Sequence, residues 1–156
     1  NGIKAISKLE PYFTTIHLSG GDEMQKTSSY FKINTKILGV SILTSLDSKQ
    51  TKKYYNNNVE EIVSNFAKNA LINKLDGIVC SPKEITIVKK ITQNKLIIVT
   101  PGIRPINYED SKDDQKRVMS PKDAIDAGAN YLVMGRPITK SSNPLKSLQS
   151  INSSLE

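Results

Sequence analysis

The chain has 156 residues, 37% of them apolar and 24% charged, a composition that supports one soluble globular domain rather than a disordered chain. Its apolar runs are short, the longest at about residues 37–43, whereas a membrane-spanning helix needs roughly 20 apolar residues; no signal-peptide pattern is present, and a lone Cys80 excludes an internal disulfide or a Cys-based zinc site, so a reducing cytoplasm is expected. The net charge of +7 comes from 22 basic residues, nearly all lysines scattered from Lys4 to Lys146, a diffuse charge that speaks to solubility and gives no support to a nucleic-acid or membrane partner.

Short runs rich in Ile, Val and Leu alternate with longer helical segments, the signature of β/α units around a parallel sheet. In chain order, a helix is expected at about residues 3–9, a strand at 14–18, a helix at 23–31 and a strand at 37–43. A polar loop follows at 54–58, then a helix at 59–73, in which Val59, Ile62, Val63, Phe66 and Ala70 form the apolar stripe of a helix packed on a sheet. Strands at 77–80, 96–100 and 131–134 are separated by helices at 83–92 and 121–127, and a last helix spans 144–151. Ser120-Pro121 is a helix start and Gly128 a helix end, while Asp76-Gly77 reads as the turn entering a strand. Cys80 ends an apolar run and reads as a buried small hydrophobe. His17, the single histidine, reads as a hydrogen-bonded structural residue.

Each strand runs directly into small, polar or turn-forming residues: Ser19-Gly20-Gly21, Thr44-Ser45, Ser81-Pro82, Pro101-Gly102-Ile103-Arg104 and Gly135-Arg136-Pro137. The carboxyl end of the strands is where parallel α/β folds, and barrels above all, build their sites. The three arginines, Arg104, Arg117 and Arg136, all fall in the last third, two of them inside these turns, where a planar bidentate donor suits a phosphate. Gly135-Arg136 adds backbone N–H groups that a ligand can approach closely. Between Arg104 and Met119 lies a long polar stretch of the kind that usually forms a lid or binding loop.

The segments Leu96-Ile97-Ile98-Val99-Thr100-Pro101-Gly102-Ile103-Arg104-Pro105, Asp113-Asp114-Gln115-Lys116-Arg117 and Gly128-Ala129-Asn130-Tyr131-Leu132-Val133-Met134-Gly135-Arg136-Pro137-Ile138 together resemble the carboxy-terminal part of bacterial orotidine 5'-phosphate decarboxylase. Upstream, Ile16-His17-Leu18-Ser19-Gly20-Gly21, Leu43-Thr44-Ser45 and Asp76-Gly77-Ile78-Val79-Cys80-Ser81 resemble that family's middle strands in the same order. The resemblance implies an α/β fold that is part of a TIM (β/α)8 barrel, here one domain over residues 1–156 with about five parallel strands. It further implies conversion of orotidine 5'-phosphate to UMP and carbon dioxide, a step of pyrimidine biosynthesis, with no metal or organic cofactor, in an enzyme that is a homodimer when complete. By position, Arg136 and the Gly135 backbone match the phosphate-binding pair, Arg104 the arginine after the Pro-Gly-Ile turn, Gln115 the glutamine of the closing loop and Thr44 a substrate-contacting threonine. Ser81 lies near the pyrimidine by the same analogy, and Pro101 is a further substrate-binding candidate.

The resemblance begins at the helix before the family's fourth strand. The first three strands have no counterpart in these residues, nor does the Asp-Lys-Asp cluster that supplies the proton. Asp110-Ser111-Lys112-Asp113-Asp114 imitates its composition only, in a polar loop. No catalytic residue is therefore assigned, and the chain is expected to be inactive alone. The alternative is a non-catalytic remnant that binds a phosphorylated ligand, or a half-barrel subunit completed by an amino-terminal half-barrel chain. Five strands cannot close an eight-stranded barrel, so exposed sheet edges and apolar faces are expected.

Overall fold

The computed structural model describes residues 2–105 and 118–155. A short helix α1 (Gly2–Ile6) and a 3-10 turn lead into β1 (Phe13–His17), then α2 (Asp22–Phe31), β2 (Lys36–Val40), α3 (Ser48–Tyr55), α4 (Val59–Ile72) and β3 (Gly77–Val79). A 3-10 turn at Pro82–Glu84 precedes α5 (Ile85–Thr92), β4 (Ile97–Thr100), α6 (Pro121–Ala127), β5 (Tyr131–Leu132), α7 (Arg136–Thr139) and α8 (Pro144–Ser153). All five strands are parallel, and their order in the sheet, β1-β2-β3-β4-β5, is the order of the chain. A singly wound parallel sheet of this kind is an arc of a (β/α) barrel, because right-handed crossovers in one direction keep every helix on the same face.

That face holds the main core. Ile16, Gly39, Ile78 and Ile98 stand in register across four strands. Ile78 and Ile98 are buried against Val63, Ala67 and Ala70 of α4, Ile85 and Val88 of α5 and Ala124 of α6. Gly39 is small because Leu18 and Leu75 occupy the space a side chain would need. Cys80 is buried in the same cluster, as expected. Side chains one residue out of phase point to the opposite, concave face. There His17, Val40, Val79, Val99 and Tyr131 form one registered row and Thr15, Leu38, Gly77 and Ile97 the next. Leu38 and Val99 are buried yet stand outside the helix-side cluster, whereas His17 and Tyr131 are exposed, as is Val133 beyond β5. The expected open apolar face is thus the inner face of the arc.

Several expectations need correction. Residues 54 and 55 are not loop: Ser48–Tyr55 is a helix, capped by Asp47, whose carboxylate accepts from Gln50 N at 2.9 Å while the Gln50 amide reaches back. Its only buried residue is Thr51, so it carries no apolar stripe to announce it. The second and fifth strands end sooner than expected, at Val40 and Leu132, because the chain leaves the sheet to form the rim. A single helical turn, α7, follows Gly135. His17 is exposed on the concave face and, among the described residues, its ring makes no hydrogen bond. Asp76 does enter β3 as expected, and it also accepts from Ile37 N at 2.7 Å and pairs with Lys32 at 2.6 Å, tying β2 to β3 at the amino end.

Candidate functional site

The turns singled out in the sequence all lie along the carboxyl rim of the sheet. After β2, Ser41 clamps the departing chain to the neighbouring strand: its N–H donates to Val79 O at 3.0 Å and its hydroxyl to the same oxygen at 2.9 Å. A turn closed by Leu46 N to Leu43 O then presents Thr44, which is only 9% exposed. Sequence reasoning missed this clamp, since a lone serine after a strand carries no distinguishing pattern.

Ser81 follows β3 and is fully buried. Its hydroxyl accepts from Lys83 N at 3.3 Å and its own N–H donates to Glu84 Oε2 at 2.8 Å, a reciprocal capping box that starts the next helical turn. In this structure the Ser81 hydroxyl therefore serves the backbone.

The turn after β4 is built around Gly102, at φ +78°, a backbone conformation that disfavours a side chain. Pro101 precedes it, half-buried, and Ile103 behind it is fully buried, anchoring the turn in the core. Ile103 forms a parallel bridge with Met119, and Arg104 N donates to Met119 O at 3.0 Å. The two stems of the stretch that contains Gln115 are thus hydrogen-bonded to each other. Gln115, Arg117 and the Asp110–Asp114 cluster lie outside the described residues. The Arg104 guanidinium donates through Nη1 to Ile103 O at 2.8 Å, which folds the side chain back over its own turn.

β5 continues its pairing to the rim, where Val133 N donates to Thr100 O at 2.9 Å, so the Arg104 and Arg136 turns spring from adjacent, bonded strands. Gly135 is exposed, and a methyl group there would meet nothing within 4 Å, leaving open space above the backbone. Behind it, Gly135 O accepts from Ile138 N and Thr139 N at 2.9 Å each, Pro137 is buried, and the Ser147 hydroxyl of α8 donates to Pro137 O at 2.9 Å. Gly135 and Arg136 therefore sit on a braced turn. Arg104, Gly135 and Arg136 belong to neighbouring turns, and Thr44 lies two strands further along the same rim. An arginine beside an accessible glycine backbone, with a second arginine on the neighbouring turn, is a residue set that suits a doubly charged phosphate.

The chain matches the family described as Orotidine 5'-phosphate decarboxylase / HUMPS over residues 2–151. It is 41% identical over 160 residues to the orotidine 5'-phosphate decarboxylase of Coxiella burnetii strain RSA 493 / Nine Mile phase I, with 98% of this chain and 67% of that protein covered. It is also 40% identical over 158 residues to that of Staphylococcus saprophyticus, covering 97% of this chain and 68% of the relative. Among solved structures it superposes on the orotidine 5'-phosphate decarboxylase of Lactobacillus acidophilus with a TM-score of 0.81 and 31% identity, over 100% of this chain and 68% of that one. The chain thus spans about two thirds of the length of these relatives.

Proposed function

Since the chain belongs to the orotidine 5'-phosphate decarboxylase / HUMPS family, we propose that its residues form the phosphate-holding and part of the nucleotide-holding side of an orotidine 5'-phosphate decarboxylase. The observation that carries this reading is the pair of rim turns bearing Arg104 and Gly135-Arg136, which spring from adjacent, hydrogen-bonded strands. In it, Arg136 and the Gly135 N–H hold the phosphate, Arg104 adds a second guanidinium, Gln115 closes on the phosphate from the stretch between the bonded stems, and Thr44, Ser81 and Pro101 lie towards the ribose and base.

Loss of carbon dioxide leaves an electron pair at C6 of the pyrimidine, which must be stabilised and then protonated. The residues proposed here do neither. They contribute binding energy at the remote phosphate, which lowers the barrier where closure around that group helps assemble the reacting end. The proton donor then comes from an Asp-x-Lys-x-x-Asp strand end outside this sequence, on an amino-terminal half-barrel that completes the inner face. No cofactor enters the scheme, and the soluble enzyme it describes acts in pyrimidine biosynthesis.

The test is the decay of orotidine 5'-phosphate absorbance in two arms, the chain alone and the chain mixed with a separately made front half of a related enzyme. Turnover in the mixed arm only is expected. Turnover by the chain alone would place the proton donor within these residues and return attention to Lys112. Silence in both arms from a chain that still binds UMP would leave a non-catalytic phosphate-ligand-binding module, and silence without UMP binding would overturn the phosphate assignment as well.

A further inference from the structure

At the end of the sheet opposite the rim, four side chains meet that no part of the proposed site uses. Phe13 opens β1 and Tyr131 opens β5, the two edge strands of the sheet. In a flat sheet four strand spacings would hold them about 19 Å apart. Their ring centroids are 5.1 Å apart at an interplanar angle of 83°, an edge-to-face contact. Only strong curvature brings the first and last strands into contact across the concave face. Half of an eight-stranded barrel has that curvature, since its interior is just wide enough for side chains from opposite walls to meet.

The contact is reinforced on both sides. Tyr12 packs edge-on against Phe13 at 4.5 Å. Lys36, the registered partner of Phe13 on β2, donates from Nζ to the Tyr12 hydroxyl at 2.8 Å. The Tyr12 and Tyr131 phenols influence each other electrostatically. Accordingly the Tyr12 phenol lies below its ordinary pKa, through the bond from Lys36 and the influence of Tyr131, and the Tyr131 phenol lies above its own, through the influence of Tyr12.

We propose that Tyr12, Phe13, Lys36 and Tyr131 form a latch that joins the two edge strands across the amino end of the arc and sets the curvature of the sheet. Strands are stiff, so closure at the amino end fixes how far apart the carboxyl ends stand, and with them the turns bearing Thr44 and Gly135-Arg136. The latch also gives the described half-barrel a cross-brace independent of any strand beyond β1. It acts in the same way whichever ligand the rim takes.

The test is a double-mutant cycle on the chain itself, with Phe13→Leu, Tyr131→Leu and the double variant followed by thermal melting. Each single substitution is expected to lower the midpoint by about 3–8 °C, and the double by clearly less than the sum, since both remove the same contact. Additive losses would overturn the latch, because β1 and β5 are not neighbours in the sheet and have no other reason to couple. Should a Leu variant fail to fold, the milder pair Tyr12→Phe and Tyr131→Phe removes the two phenol hydroxyls of the cluster one at a time and gives the same reading. A second readout is amide exchange of Leu132 and Val133 in Phe13→Leu: acceleration there, four strands from the substitution, is expected, and unchanged exchange would overturn the proposal.

Discussion

Gly128 and Gly135 both stand at the junction of a strand or helix with a turn, yet a methyl group would meet different things at each. Gly128 ends α6 at φ +108°, with the Lys89 side chain laid over it, so Gly128→Ala should destabilise the fold by about 1–2 kcal/mol. Gly135 is at φ −104° and faces open space, so Gly135→Ala should leave the melting temperature almost unchanged. UMP affinity should nevertheless fall, since the added methyl occupies the approach to the backbone N–H. A calorimetric titration in which Gly135→Ala binds UMP as the parent does would remove the backbone from the site. Arg136→Ala should weaken the same titration by about 2–4 kcal/mol, the cost of losing a charge-assisted contact. Unaltered affinity there would mean that the phosphate is held elsewhere. At this scale the sequence is informative where a residue type is demanded by chemistry, as with the arginines of the rim. It is silent where the demand is geometric: the Ser41 clamp, the capping role of Ser81 and the solvent-facing His17 follow from which way the chain turns after each strand, and no residue type encodes that.

Among the elements, α4 and α3 illustrate two ways of making a helix. α4 (Val59–Ile72) presents Ile62, Val63, Ala67 and Ala70 to the core, a 3.6-residue periodicity that is legible in the sequence itself. Its start is fixed by Asn58, whose side chain accepts from Glu61 N at 2.8 Å. Asn58→Ala should therefore cost about 1 kcal/mol of global stability, read by chemical denaturation. α3 (Ser48–Tyr55) has lysines and tyrosines facing water and one buried threonine, so burial gives it little and its Asp47 capping box gives it much. Removing that cap with Asp47→Ala should raise amide exchange within residues 48–55 while the global midpoint barely moves. Equal effects of the two substitutions on the midpoint would show that α3 is part of the cooperative core. The same contrast explains why the end of α3 looks like loop in the sequence: periodicity reports burial, and a helix that buries almost nothing leaves no periodic trace.

For the molecule as a whole, the decisive asymmetry lies between the two faces of one sheet. The helix-covered face is a continuous core through β1 to β5, and the alternation of apolar runs with helical segments makes that parallel layer readable from the sequence, whereas the barrel order of its strands comes only with the family resemblance. The inner face is apolar as well, with Leu38, Val40, Val79, Ile97 and Val99, but among the described residues it is filled from its own side and from the latch at the amino end. What covers it is not legible in residue patterns, because an inward row of valines looks the same whether the opposite wall belongs to this chain or to another. Protection against amide exchange should follow the sheet from the inside outward, slowest in β2, β3 and β4, which are paired on both sides, and faster in β1 and in the two-residue β5. If a front half-barrel docks as the proposed function requires, it adds a strand beside β1 and closes on β5, so mixing should slow exchange at both edges and change β3 little. Slowing at β1 alone would describe an extended sheet with an open far edge, whereas simultaneous slowing at β1 and β5 requires the circle to close, and closure is what would bring a proton donor from the added strands over the rim that carries Arg104 and Arg136.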